Sequence, residues 1–348
     1  MRILYGINAQ QQGHFARAET LVPLLRERGH VVQTISSGLA PVRGAAQPAW
    51  MDDAHRHFLG LPYIEHDGRT DAKATAMSWA RRLPKLMAAR SAVQRLARDF
   101  RPDGVLSDFE LFTGGLSLGL DCPTVSACRQ TALLDPAIPL PPGDAEGKGL
   151  TRTVVRLFTL AADRRLSYHF APQSPRCLPP MLRADVLRRQ PSDGDFLLVY
   201  NSQHFGDGGD AASLLAWAAA TGCPVKAYGY ADQPRGQQGR VEFRPPGRDA
   251  MLDDLAACRA VASTAGFALP LEAAIYGKPC VVTPLPGQWE QTVNAYQLGQ
   301  LGWAKPSPRW DFDLALASEP ATLSDRDRHW ILTPADRIVD AILASLDT

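Results

Sequence analysis

The chain has 348 residues, 45% of them hydrophobic, and its 37 Lys and Arg against 36 Asp and Glu leave a formal charge of +1. That is long enough for about two cored domains, and the charge argues against general nucleic-acid affinity. Six cysteines, at 122, 128, 177, 223, 258 and 280, form no Cys-x-x-Cys pair, and no run of eighteen apolar residues occurs. These features exclude a disulfide frame, a zinc site of that type and a spanning helix; the expectation is a cytoplasmic protein with buried thiols.

Strand and helix signals then alternate along the chain. Residues 2–7 read as a strand, and a loop leads to Gly13. A helix over 15–28 follows, with Leu21, Leu24 and Leu25 on one face, and Gly29-His30 ends it. Residues 31–35 form the next strand. Beyond a polar region come a basic helix over 74–100, a strand over 104–107, a helix around 114–120 and a strand over 124–127. Residues 135–149, rich in Pro and Gly, read as a surface loop, followed by a helix over 150–165 and a strand over 167–171. Five prolines between 172 and 191 mark a linker. The second half repeats the logic, with strands over 196–200, 224–228, 241–243, 260–263 and 280–283 and an amphipathic tail helix over 334–346. Two α/β domains with parallel sheets are predicted, over 1–180 and 181–333, with 334–348 as a closing helix.

The block over 260–302 carries the densest information. A strand ends at Ser263, a turn runs through Thr264, Ala265 and Gly266, and a helix over 269–276 stops at Gly277. The strand over 280–283 then leads through Pro284, Pro286 and Gly287 into a helix opening near Trp289. Two helix N-termini beside two strand ends favour a phosphate. Glu272 offers a carboxylate for a ribose diol, and Gln288, Glu290 and Gln291 offer groups for sugar hydroxyls, so a nucleotide-sugar fits.

This block resembles the donor-binding segment of GT-B glycosyltransferases, nearest to a bacterial and archaeal group related to the UDP-glycosyltransferases and to the lipid-linked N-acetylglucosaminyltransferase of peptidoglycan synthesis. The matching positions are Gly266, Glu272, Gly277-Lys278-Pro279, Pro284, Gly287-Gln288-Trp289-Glu290-Gln291 and Asn294-Ala295. The resemblance implies two Rossmann-like domains facing across a cleft, and a closing helix that returns to the first domain. It also implies hexose transfer from a nucleotide-sugar, UDP-linked, to a hydroxyl acceptor, with inversion and without a bound metal or other cofactor.

Within that frame His14 is the candidate base, because imidazole exchanges protons near neutral pH and Gly13-His14 with Arg17 is similar to the family's Gly-His-x-x-Arg. The loop before it departs from the family's glycine-rich run: here it is Asn8-Ala9-Gln10-Gln11-Gln12, which places Gln12, Gly13 and Arg17 on the acceptor side. Asp108, closing the strand over 104–107, is the candidate partner that orients His14, with Glu110 as a weaker substitute. Ser202 and Gln203, in the loop Asn201-Ser202-Gln203-His204, together with Ser263, Thr264 and Gly266, are expected to line the diphosphate. Arg244 lies where the family holds the nucleobase.

Other residues read as structural. Asp193-Gly194-Asp195 precedes a strand instead of ending one and belongs to the linker. His55 and His57 are expected to face solvent, and His30 to sit in a turn. The stretch over 73–101 holds eight Lys or Arg and one acid, Asp99, and 148–165 interleaves Arg152, Arg156, Arg164 and Arg165 with apolar residues. Either could rest on an anionic membrane surface at the inner leaflet or be a solvated basic face; no aromatic interleaving supports nucleic acid. A sugar-nucleotide epimerase and a non-catalytic nucleotide-sugar sensor share the architecture and stand as alternatives. The acceptor stays open.

Overall fold

The computed structural model describes residues 1–10, 12–39, 50–52, 54–61, 65–66, 69–70, 72–116, 118–201 and 209–347. The first half of the chain builds a sheet whose spatial order is Arg56–Leu59, Val31–Gly38, Arg2–Asn8, Gly104–Asp108, Thr124–Ala127, Arg164–Tyr168 and Cys177–Leu178, every neighbouring pair parallel. The order reverses between Arg2–Asn8 and Gly104–Asp108, where Ile7 sits beside Asp108. Such a switch point opens a crevice at the carboxyl ends of the strands.

Alternation along Arg2–Asn8 splits the core in two. Ile3, Tyr5 and Ile7 pack with Leu21, Val22 and Leu25 of the helix Gln12–Glu27 on one face. Leu4 points the other way, into a cluster with Val105 and with Val93 and Ala97 of the helix Ala72–Phe100. The last helix, Ala335–Leu346, lies against the first of these layers through Ile338, Val339, Ile342 and Leu346, and Asp336 and Asp340 bind Arg28 at 2.8 and 2.7 Å.

The second half repeats the plan in the order Gly236–Gln238, Val241–Phe243, Val225–Tyr228, Leu197–Tyr200, Ala260–Thr264, Cys280–Thr283 and Lys305–Pro306. Only the first pair is antiparallel. Its switch point falls between Leu197–Tyr200 and Ala260–Thr264. No described helix is long and apolar enough to cross a membrane.

Four sequence expectations are corrected. No helix forms around 114–120: a single wide turn, Leu111–Gly115, is capped by Glu110 and ends at Leu116. There Gly114 and Gly115 press on the backbone of Phe158 and Leu157 so closely that a Cβ would stand 2.4 and 2.5 Å from their carbonyl oxygens. The helix expected over 150–165 is Lys148–Phe158, and Arg164 and Arg165 belong to a strand, in register with Val125 and Ser126. His55 and His57 do not face open solvent: both rings reach back to the neighbouring strand, His55 to Thr34 at 2.9 Å and Ser36 at 3.0 Å, His57 to Ser36 at 2.9 Å. Burial pushes the His55 imidazole down to about 4, and lowers His57 as well. Finally, His14 stands inside the first turn of its helix, not ahead of it.

Candidate active site

At the crevice of the first sheet, Asn8 ends its strand and ties the next one. Its side-chain amide donates to the carbonyl of Phe109 at 2.9 Å, while its Oδ1 accepts from the Gln10 backbone at 2.8 Å. The helix opened by Gln12 and Gly13 then delivers His14 and, one turn on, Arg17 to the same point. Asp108 arrives from the adjacent strand. His14 Nδ1 lies 2.7 Å from Asp108 Oδ1, and both side chains are 2% exposed. Arg17 grips the same carboxylate with two prongs, Nε to Oδ2 and Nη2 to Oδ1, each 2.7 Å.

Arg17 Nη2 also approaches His14 Nδ1 to 2.6 Å. Nδ1 carries either a proton or a lone pair, so it cannot both donate to Asp108 and accept from Arg17. The guanidinium is already spent on the carboxylate, and an ionised carboxylate is the stronger draw for an imidazole proton. We assign the Nδ1–H tautomer, which leaves Nε2 as the basic nitrogen. Burial works to raise the Asp108 carboxyl, but Arg17 and then His14 outweigh it and hold the group below its ordinary value. Asp108 therefore remains a carboxylate throughout the neutral range.

Phe109 takes up a left-handed backbone, φ 54°, and its ring stacks on His14 with 11° between planes. A side chain in that conformation costs about 1 kcal/mol. The strain is held by its neighbours on either side, Asp108 and Glu110. Glu110, the weaker candidate for either catalytic role, turns inward and accepts from Ser37 Oγ, the Phe112 and Thr113 amides and Thr113 Oγ1. It positions the turn and does not reach the crevice.

On the second sheet, Ser263 and Thr264 finish their strand, both buried, and Ser263 Oγ donates to the Thr264 carbonyl at 3.0 Å. Gly266 follows, its Cβ direction open for at least 4 Å, and then the helix Ala268–Ile275 begins. Glu272 is buried on that helix. One of its oxygens accepts from Arg248 at 3.2 Å, the other has no hydrogen-bond partner, and burial raises its carboxyl above the ordinary value despite Arg248. Arg248 also binds Asp185, which Arg183 links to Glu19 of the first helix. Gln291 folds back to accept from the Leu285 amide at 3.1 Å and donates to Gln288 at 3.1 Å, bracing the entry to the helix Trp289–Leu301. Arg244 is held by Glu242 at 2.7 Å and Asp254 at 3.1 Å, so its guanidinium is committed to ion pairs. Ser202 and Gln203 lie outside the described residues.

The two halves meet where Arg129 and Gln130, which the sequence reading did not single out, reach Asn294, Gln297 and Glu290 of the second half. Arg129, just past the end of Thr124–Ala127, is buried and donates to Asn294 at 3.1 and 2.9 Å and to Gln297; its guanidinium lies 5.1 and 5.2 Å from the rings of Phe170 and Phe267. Desolvation pulls it down to about 10. Asn294 in turn donates, within the second half, to the Ala265 carbonyl at 3.0 Å, which ties the turn ahead of Gly266 to the residue that Arg129 holds. Gln130 reaches Glu290 at 3.2 Å, and Trp289 and Val293 pack into the same apolar cluster as Phe109. The available signal was positional: Arg129 follows a strand end just as Asp108 closes one. Among the described residues no three His, Cys, Asp or Glu side chains gather as a metal site.

A sequence profile described as Glycosyl transferase family 1 matches residues 1–317. No curated protein matches the chain. Among solved structures, it is similar to UGT2 of Phytolacca americana complexed with UDP-2-fluoro-glucose and pterostilbene, at 17% identity and a TM-score of 0.57, covering 99% of this chain and 90% of that one. CalG4, the calicheamicin glycosyltransferase, gives 16% and 0.59 over 99% and 98% of the two chains. MurG of Acinetobacter baumannii gives 15% and 0.55 over 99% of both. Identities this low speak to the fold, which is the two-sheet GT-B architecture.

Proposed function

Because the chain belongs to glycosyl transferase family 1, we propose that it moves a hexose from a UDP-linked donor to a hydroxyl acceptor, with inversion at the anomeric carbon and without a resident metal or cofactor. The carrying observation is the 2.7 Å pairing of His14 with an ionised Asp108 at the crevice of the first sheet. The acceptor oxygen bonds to the anomeric carbon as the bond from that carbon to the diphosphate breaks. The acceptor proton goes to His14 Nε2, and the electron pair leaves with the diphosphate. Asp108 holds the imidazole in the required tautomer and stabilises the imidazolium. Arg17 keeps Asp108 ionised and fixes its direction.

On the donor side, Gly266 lets backbone amides approach the diphosphate, with the positive end of the Ala268–Ile275 helix behind it. The unpartnered oxygen of Glu272 suits a ribose hydroxyl, and Gln288, Glu290 and Gln291 the hexose. A UDP-sugar analogue in UGT2 supports the choice of base. The reaction is set in the cytoplasm, in keeping with six free thiols. Substituting His14→Ala is expected to abolish transfer while UDP binds with nearly unchanged affinity in a calorimetric titration. Loss of UDP binding together with activity overturns the base assignment.

A further inference from the structure

Among the described residues two Lys or Arg are buried, Arg129 and Lys278. Lys278 has the Asp193 carboxylate at 3.8 Å. Arg129 has no described carboxylate at ion-pair distance: its bonds go to the neutral oxygens of Asn294 and Gln297 and, at 3.5 Å, to the Tyr168 carbonyl. Burying a cation without an anion is costly, and an apolar side chain of similar volume would avoid that cost. What this guanidinium holds accounts for its presence.

A guanidinium can only donate and a backbone carbonyl can only accept. Asn294 stands between one of each. Its Oδ1 takes two bonds from Arg129, at 3.1 and 2.9 Å, so its amide nitrogen is turned to the Ala265 carbonyl at 3.0 Å. A partner that could also accept would let the side chain turn over and leave that carbonyl unmet. Gln297 is polarised in the same sense, its Oε1 on Arg129 and its amide nitrogen on the Pro139 carbonyl at 3.2 Å. On the other flank of Gly266, the Phe267 ring lies 5.2 Å from the guanidinium and 4.5 Å from the ring of Phe170. Phe267 immediately precedes the helix Ala268–Ile275, whose start has no side-chain cap. Ala265 and Phe267 are thus both fixed through one guanidinium of the first half, while the Cβ direction of Gly266 between them stays open.

We propose that Arg129 is a positioning residue for the donor: it polarises Asn294 and braces Phe267, so that the first half sets the turn on which the second holds a diphosphate, and that diphosphate supplies the negative charge Arg129 lacks. This rests on the donor reading given above and adds to it a residue from the other half of the chain. Calorimetric titration of the whole chain with UDP, and ligand-observed NMR with uridine, read the diphosphate and the nucleoside separately. Arg129→Met is expected to weaken UDP at least roughly tenfold and to leave uridine unchanged, which also reports that the variant is folded. Arg129→Lys, which keeps the charge but not the fork of donors, should fall between. Asn294→Asp is the sharper variant. It gives Arg129 an ion pair, yet an ionised carboxylate cannot donate to the Ala265 carbonyl, so UDP should weaken by a similar factor. Equal loss of UDP and uridine in Arg129→Met marks a general structural role and overturns the proposal, as does full UDP affinity in Arg129→Met or in Asn294→Asp. Those outcomes leave the donor reading standing; a wild-type chain that binds no UDP overturns that reading and the positioning role with it.

Discussion

The two sheets share a strand order but differ in how their candidate residues are satisfied. In the first half every functional carboxylate is fully engaged: Asp108 by His14 and Arg17, Glu110 by four donors. In the second half Glu272 keeps one buried oxygen without a partner, and Gly266 faces open space. The difference fits the two tasks proposed for these halves. A base must be aligned before its substrate arrives, whereas a binding side gains affinity from groups whose bonds are completed by the ligand.

The sharpest test of this contrast is Asp108→Asn. It should lower kcat by about 10³-fold or more, because the amide cannot hold the reactive tautomer. It should also lower the unfolding free energy by about 3 kcal/mol, since Arg17 is left buried without its anion. Single-turnover kinetics and denaturant unfolding check the two effects, and loss of rate with unchanged stability would break the picture of a pre-satisfied cluster. Glu272→Gln is expected to behave oppositely, weakening UDP about tenfold with kcat barely changed and stability equal or higher, as a half-satisfied buried carboxylate is removed. Titration calorimetry with UDP reads it.

Acid should also separate the halves. His55, lowered to about 4, and His169, lowered to about 3 chiefly by burial, stay neutral in the fold while the unfolded chain takes up protons below about 6.5. The unfolded state then binds more protons, so stability falls as pH drops from 6.5 toward 4, on the order of 2 kcal/mol. Glu272, raised, acts in the other direction and relieves the fold as it protonates. Hydrogen exchange is expected to show amides around Thr34–Ser37 losing protection before those of Val261–Thr264. The smallest effect is Gly266→Ala, which the open Cβ direction should tolerate within about 0.5 kcal/mol of stability. Donor affinity should fall a few-fold as the methyl group crowds the diphosphate.

The repeating strands and the strand–turn–helix order of the 260–302 block were legible in the sequence because each is a local pattern: apolar runs of four or five residues and a glycine stop. Asp108 was legible as an acid closing a strand, and His14 through the spacing of Gly13-His14 and Arg17 at the start of a helix. Arg129 and Gln297 were not, and neither was the contact of Arg129 with Asn294, because these contacts join positions about 165 residues apart and no local pattern records that. The turn Leu111–Gly115 was misread as a helix because its glycines serve a close backbone approach that sequence does not display. The short helix Asp325–Ile331 carried a readable sign, the capping box of Ser324 and Asp327, which went unused.

The helix Ala335–Leu346, by returning to the first sheet, makes the chain cross between the halves twice, once after Cys177–Leu178 and again after Ile331. A body joined at one point can swivel in any direction; one joined at two turns only about the line between them, as a door does on paired pins. For the reaction proposed above, the second crossing would thereby restrict the ways in which the two halves can part.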